Sequence, residues 1–265
     1  MKYFFWNTNK KTINNYIKEL IIENQYDIVA LAEYEDNINE LIDDLKKNKI
    51  KMYKIINPGC KRITLITKVK PKYIKSFSES EYYTIKMINL PYDRKQIIAV
   101  VHLPSRMHNN DEDRRVEIEA LVKDIEEYEE KYNTKDTVIV GDFNANPFDK
   151  CMISVGGLHA LLSSSEACRE KRKVRNKTYS MFYNPMWNKF GDFEEPPGTY
   201  YYKASTAIEF FWHMFDQVII RPHIIRLFSK ESLKIITEIN GKMLTKNNRI
   251  IISDHLPIEF IIKEE

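Results

Sequence analysis

The feature that most constrains this chain is a set of short apolar runs that each meet a polar residue able to do chemistry. Phe4-Phe5-Trp6 stops at Asn7, and Ile28-Val29-Ala30-Leu31-Ala32 stops at Glu33. Ile97-Ile98-Ala99-Val100-Val101 stops at His102, and Thr137-Val138-Ile139-Val140 runs into Gly141-Asp142. Asp216 sits in the mostly apolar Phe215–Ile220, and Ser253-Asp254-His255 lies between two apolar stretches. Short apolar runs bounded by turn residues read as buried strands. Strands of this kind must be covered on both faces, and six polar strand ends then fit along one rim where two sheets open.

Helical spacing appears between the strands. Ile13, Ile17, Leu20 and Ile21 mark one amphipathic helix, and residues 38–47 a second through Ile38, Leu41, Ile42 and Leu45. A long helix over about 112–132 carries Ile118, Leu121, Ile125, Tyr128 and Tyr132 on one stripe. Further strands are expected at 52–57, 62–68, 72–77, 82–89 and 96–102, and again near 212–220, 232–238, 249–252 and 257–262. Residues 150–205 hold a short helix, a basic run and a Pro/aromatic stretch. Strands outnumber helices, so two sheets packed face to face, with helices on the outer faces, satisfy the pattern. The alternative is one α/β sheet with an irregular insertion.

The 265 residues, 43% of them hydrophobic, suffice for one large domain with a sizeable core. No 18-residue apolar run predicts a membrane span, and Asn7 and Lys10 cut the N-terminal apolar stretch too short for a signal peptide. Cys60, Cys151 and Cys168 lack metal or redox spacing, which places the chain in a reducing cytoplasm. A net charge of +3 says little by itself about partners.

The chemistry collects at the strand ends. In an extended segment residues two apart face one side, so Asp142 and Asn144 can aim at one point, a carboxylate for a water and an amide for a phosphate oxygen. Gly141–Pro147 is equally good turn sequence. Asp254 and His255 can enter one site only if the backbone bends between them, and a lone His is often just a hydrogen-bonded edge residue. A buried Asp216 needs a partner, and His255 is the obvious one. Glu33 or Glu35 can serve magnesium, which takes hard oxygen ligands and keeps several waters. Asn7, and His102 with Ser105 and Arg106 just beyond it, are weak signals individually.

Taken in order, Trp6-Asn7, Glu33, His102, Gly141-Asp142-Phe143-Asn144, Asp216 and Ser253-Asp254-His255 resemble the endonuclease/exonuclease/phosphatase superfamily, from residue 4 to 260. That group holds abasic-site endonucleases, DNase I-like nucleases, deadenylases, inositol-polyphosphate 5-phosphatases and neutral sphingomyelinases. The resemblance implies an α/β fold, a four-layered α/β/β/α sandwich of two mostly antiparallel sheets, over residues 1–265, with a subfamily-specific insertion at about 150–211. It implies Glu33 as the main Mg²⁺ ligand (Mn²⁺ as a substitute), supported by Asn7 and reached by Asp254 through water. Asp142 would position and deprotonate water, Asn144 would hold phosphate or water, and His102 would contact phosphate. His255 would pair with Asp216 and neutralise charge on the phosphoryl oxygens. Two positions depart from the pattern. Ala32 stands where many members carry Gln, and Asn9 stands where abasic-site endonucleases carry a metal-binding Asp, which speaks against abasic-site repair and a second metal ligand.

Substrate choice rests on the remaining segments. Residues 169–177 hold six basic residues in nine, with Arg172, Lys173 and Arg175 as candidate contacts to a nucleic-acid backbone. Read without a ligand, the run is a solvated helix face or loop. Tyr179, Phe182, Tyr183, Trp187, Phe190 and Tyr200-Tyr201-Tyr202 can stack bases or simply form core. The first reading is therefore a nuclease on DNA or RNA. The second is a phosphatase or phosphodiesterase on a lipid or soluble phosphate, and the third a catalytically silent binding module.

Overall fold

The computed structural model describes all residues except 106–110, 192, 194, 195, 204, 206, 208, 248 and 265. The chain begins β1 (Lys2–Asn7), α1 (Asn14–Asn24), β2 (Ile28–Ala32), α2 (Ile38–Lys47), β3 (Tyr53–Ile55) and β4 (Ile63–Thr67). It continues β5 (Ile74–Glu79), β6 (Tyr83–Asn89), β7 (Lys95–His102), α3 (Asp111–Tyr132) and β8 (Thr137–Asp142). Then follow α4 (Lys150–Ile153), β9 (Ala160–Leu161), α5 (Ser164–Ala167), β10 (Lys171–Val174), β11 (Lys177–Ser180) and β12 (Phe182–Tyr183). Next come β13 (Tyr200–Tyr201), β14 (Trp212–His213), β15 (Asp216–Ile220) and β16 (Phe228–Ile235). Two small hairpins follow, β17 (Glu238–Ile239) with β18 (Lys242–Met243) and β19 (Thr245–Lys246) with β20 (Arg249–Ile250), before the last strand, β21 (Ile258–Ile262).

Two sheets dominate, ordered β16-β21-β1-β2-β4-β3 and β5-β6-β7-β8-β15-β12-β9. Among the described residues, parallel pairing occurs only at β1–β2, β7–β8 and β9–β12. At β1–β2 and β7–β8 the crossover carries a helix, α1 or α3, because parallel neighbours cannot be joined by a tight turn.

Alternation along each strand builds four layers. Tyr3, Phe5, Ile28, Ala30, Ile98, Val100, Val138, Val140, Val218 and Ile220 form the core between the sheets. Their neighbours Phe4, Trp6, Val29 and Leu31 face outward onto Ile17, Leu20, Leu41 and Leu45 of α1 and α2. Ile97, Ala99, Val101 and Ile139 face outward onto Ile118, Leu121 and Ile125 of α3. The order is therefore α/β/β/α. No helix among the described residues is long and apolar enough to cross a membrane.

Several boundaries differ from the sequence expectation. The run 212–220 is two strands, β14 and β15, because Met214 N–H turns to donate to the Asn146 side chain (3.0 Å). The strand expected at 232–238 begins earlier, at Phe228. That at 249–252 stops at Ile250, and the backbone bends through residues 251–254. Within 150–211, β9 and β12 are part of the second sheet. The basic run is neither helix face nor irregular loop but a two-stranded ribbon, β10–β11.

Candidate active site

The rows that fill the space between the sheets end in polar side chains at one common edge. Tyr3-Phe5 continues to Asn7, Ile98-Val100 to His102, Val138-Val140 to Asp142, and the β15 row Ile220-Val218 to Asp216. His102, Asp142 and Asp216 are direct neighbours across β7, β8 and β15. Strand β7 approaches Gly141 so closely that a Cβ there would lie 2.0 Å from the Val101 carbonyl oxygen, so the residue before Asp142 must be glycine.

Asp142 is the centre. Its Oδ2 accepts from Asn7 Nδ2 at 3.0 Å and its Oδ1 from the Asn144 backbone N–H at 2.8 Å. Two imidazole nitrogens, His102 Nε2 and His255 Nε2, each stand 3.8 Å from the same Oδ2, too far for a hydrogen bond. Asn7 Nδ2 also reaches Glu33 Oε1 at 3.5 Å, while its Oδ1 accepts from the Asn9 backbone N–H. Asn7 thus turns N–H groups, not oxygen, toward both carboxylates.

Glu33 follows β2 in the left-handed region (φ 47°), a costly conformation for a residue other than glycine. The Glu33 carbonyl accepts from Lys10 N–H and Thr8 Oγ1, and its N–H donates to the Arg62 carbonyl, so the surroundings hold it there. Its carboxylate lies 3.3 Å from His102 Nε2. The His102 contact holds the Glu33 carboxyl down at about 2 against the opposing effect of burial, with Asn7 adding to it. Glu33 is therefore ionised.

The bend after β20 brings His255 under the rim. Ser253 Oγ donates to the Asn7 carbonyl at 2.8 Å, and Trp6 Nε1 donates to the His255 carbonyl at 2.9 Å. The His255 ring meets Asp216 through Nδ1 at 2.8 Å, and both groups are buried. Burial works against charge on His255, but Asp216 and Asp142 outweigh it and raise the ring to about 10. Burial raises the Asp216 carboxyl too, opposed by His255. These directions pull the shared proton opposite ways, and the second carboxylate, Asp142, favours the ring as its holder.

The structure thus brings Asn7, Glu33, His102, Asp142, Asp216 and His255 together. Asp254 is half-buried beside them, with Ser253 Oγ 3.4 Å from its carboxylate. Asn144 is left-handed (φ 48°) and its Nδ2 donates to the Leu103 carbonyl at 2.9 Å. It therefore does not extend the strand alternation beside Asp142; it ties the two strand-end loops together. Ser105 lies on the segment leaving β7 at this edge, and Arg106 lies outside the described residues. Arg172, Lys173 and Arg175 do not join the cluster. Their ribbon is rooted at the opposite edge, where Lys171 and Ser180 line a cavity with Lys95 and Asp136.

One neighbour had no periodic signal in the sequence. Tyr200 bridges to His255 and lays its ring against the imidazole (centroids 4.6 Å), and the Phe215 ring stacks on Tyr200 at 5.1 Å. Burial, then the charges of Asp254 and Asp142, raise its phenol, which stays protonated. Gly198 permits this, since a Cβ there would meet the His213 carbonyl oxygen at 2.6 Å. His213 in turn contacts Asn146 and Glu209, each at 3.1 Å.

Among the described residues Asp142, Asp216 and His255 place ligand atoms within 4.8 Å of one another. Two of them already bond each other. Glu33, ionised and with 29% of its side chain exposed, is the better seat for a hard cation that keeps waters.

No family model matches the sequence, and no curated protein does. Solved structures do match. The 3′ phosphatase NExo from Neisseria, bound to product DNA hairpin, superposes with a TM-score of 0.60 at 11% identity, covering 100% of both chains. The human Nocturnin catalytic domain with bound sulfate gives 0.59 at 14% identity, over 98% of this chain and 93% of that one. An endonuclease/exonuclease/phosphatase family protein from Leptotrichia buccalis gives 0.55 at 15% identity, covering 100% of both. The chain has the DNase I-like fold of the endonuclease/exonuclease/phosphatase proteins.

Proposed function

We propose that this chain is a divalent-metal-dependent phosphoesterase that hydrolyses nucleic-acid phosphodiester bonds with an activated water. The observation that carries the reading is Asp142, a buried carboxylate fixed by Asn7 and Asn144 and flanked by two imidazoles at 3.8 Å. Glu33, with Asp254 as an outer partner, would hold Mg²⁺ or Mn²⁺; when bound, the cation supplies Lewis-acid polarisation of a phosphoryl oxygen.

Asp142 orients the water and accepts its proton as the water oxygen bonds to phosphorus and the ester P–O bond breaks, the departing oxygen taking a proton from solvent. His255, kept protonated by Asp216, places positive charge and an N–H where negative charge grows on the phosphoryl oxygens. Asn7 keeps Glu33 and Asp142 apart at a fixed spacing by donating to both. His102 orients Glu33. Tyr200 shields the ring of His255 from water. The cytoplasm remains the expected compartment, on cysteine usage.

A specific feature favours a second reading, a phosphatase or phosphodiesterase whose substrate has an apolar part. Tyr202 stacks beside Tyr200, and Tyr202, Phe210 and Phe211 are exposed. The deciding experiment offers labelled single- and double-stranded DNA and RNA, beside a generic phosphodiester and a phosphorylated lipid, to wild type and Glu33→Gln. Mg²⁺-dependent cleavage of a nucleic acid, weakened in Glu33→Gln and abolished by excess EDTA, is expected. Full activity in EDTA, or of Glu33→Gln at low Mg²⁺, removes the metal assignment; cleavage of the lipid alone replaces the first reading with the second.

A further inference from the structure

The β10–β11 ribbon stands out for its charge and its place. Lys171, Arg172, Lys173, Arg175 and Lys177 are all exposed, and none has a carboxylate within ion-pair distance among the described residues. Only Arg169, before the ribbon, is paired, with Glu166 at 3.1 Å. Residues 169–177 hold six cations and one acid in a chain of net charge +3, so the rest of the protein is net acidic. Like charges gathered without partners repel, and an arriving polyanion relieves that repulsion while releasing its own counterions.

The register sets the chemistry of each face. Lys171 pairs with Ser180 and Lys173 with Thr178, while Arg172 pairs with Tyr179 and Val174 with Lys177. Paired residues share a face, and alternate residues along a strand return to it. One face therefore presents ammonium groups beside hydroxyls. The other presents the Arg172 guanidinium and the Lys177 ammonium beside Val174 and the half-buried Tyr179 ring. Charge plus hydroxyl donors suits phosphate oxygens, and arginine beside an aromatic ring suits stacked bases. A membrane surface would want an apolar face, which neither side supplies.

We propose that this ribbon is a second, non-catalytic binding surface for a polynucleotide backbone, at the edge of the sandwich opposite Asp142. It rests on the nuclease reading for the identity of the polymer. The path runs over the ribbon, where six cations stand against one acid, and past the neighbouring cavity of about 900 Å³, whose wall mixes Arg94, Lys95 and Lys135 with Asp93, Glu126 and Glu130. Strand β8 separates the two edges, and its six residues rise roughly 17–20 Å. At about 3.4 Å per stacked nucleotide, that span corresponds to roughly five to six stacked nucleotides. The surface thus selects for length.

The test compares wild type with the exposed combination Arg172→Gln, Lys173→Gln, Arg175→Gln and Lys177→Gln, in the full chain. KM and kcat are measured on 4- and 25-nucleotide single strands sharing one cleavable sequence. Binding of the 25-mer is measured separately in EDTA across a salt series. The expected result is a KM for the 25-mer raised about tenfold or more, with kcat unchanged and the 4-mer unaffected. The salt slope should fall by about 0.7 for each phosphate that the variant no longer neutralises. An unchanged 25-mer KM and salt slope, or equal losses on both lengths, overturns the proposal. If wild type cleaves neither strand, the nuclease reading fails and the binding series still decides the ribbon: 25-mer binding that disappears with the four charges supports it. Equal binding by both proteins, or binding only to anionic-lipid vesicles, removes it.

Discussion

Strands β8 and β15 lie side by side, and each end of the pair carries a buried acid–base contact built in a different way. At the rim, Asp216 holds His255 at 2.8 Å, a second acid crowds the same ring, and Asp216 Oδ1 and His102 Nδ1 are buried without a hydrogen-bond partner among the described residues. At the far end, Arg221 donates to Glu129 at 2.8 Å, to the Met181 carbonyl at 3.2 Å and to Glu126 at 3.4 Å, and lies 3.7 Å over the Phe182 ring. Glu129 also accepts from Thr137 Oγ1 at 2.6 Å and Lys135 Nζ at 2.9 Å. A charge saturated with partners fastens α3 to the sheet. A buried charge left short of partners departs from the usual rule for buried polar groups, and at the rim it fits the proposed binding role.

The sharpest way to break this comparison is to remove a member of the far pair. Arg221→Met leaves Glu129 buried with its main partner gone, and breaking such a pair costs about 3–5 kcal/mol. Denaturant unfolding should show that loss, while the folded fraction keeps its turnover. An unmoved midpoint would show that the far contact fastens nothing.

The rim should respond in the opposite sense. Asp142→Asn is expected to lower kcat by at least about a hundredfold, equivalent to about 2.7 kcal/mol of barrier, with little change in unfolding. His255→Gln should lose about as much, and the double variant should lose less than the product if both groups serve one transition state. Glutamine is preferred to alanine here, because Asp216 is fully buried and alanine would leave it with no donor. Glu35→Gln is the control, since Glu35 only meets the exposed Lys10 at 3.6 Å. Near wild-type single-turnover rates for Asp142→Asn would remove the mechanism.

The smallest effect is a titration. In metal-free protein the His255 ring stays charged until pH rises through its folded-state value, which Asp216 and Asp142 raise to about 10. Asp216→Asn removes the nearer of those charges, so the NMR midpoint of His255 should fall toward the ordinary histidine value of about 6.5. A midpoint that stays put would mean that Asp216 does not hold the proton on the ring.

Much of the site was legible in the chain because strand alternation is local. Asn7, His102 and Asp142 continue inward-facing apolar rows, and an apolar row that ends in a carboxylate or imidazole marks a rim wherever the sheet lies. The same logic failed at Asn144, where a left-handed turn redirected the side chain to Leu103. Arg172, Lys173 and Arg175 were singled out on charge alone, and charge gave their chemistry without their place. Charge density says that a segment is solvated, not which edge of the sandwich it leaves from. Tyr200 was readable only as one of several aromatics, since its contact with His255 joins residues far apart in sequence.

The sequence by itself determined the layers and the identity of the polar strand ends. Period-two burial and helical stripes depend on neighbours two to four residues apart. Only the tertiary structure decided which charges face each other. Asp216 meets His255, Arg221 meets Glu129, and the basic ribbon stands across the sheet from Asp142. Those outcomes depend on sheet order and strand direction, set by the summed packing of three apolar interfaces, and no local window of residues carries that sum.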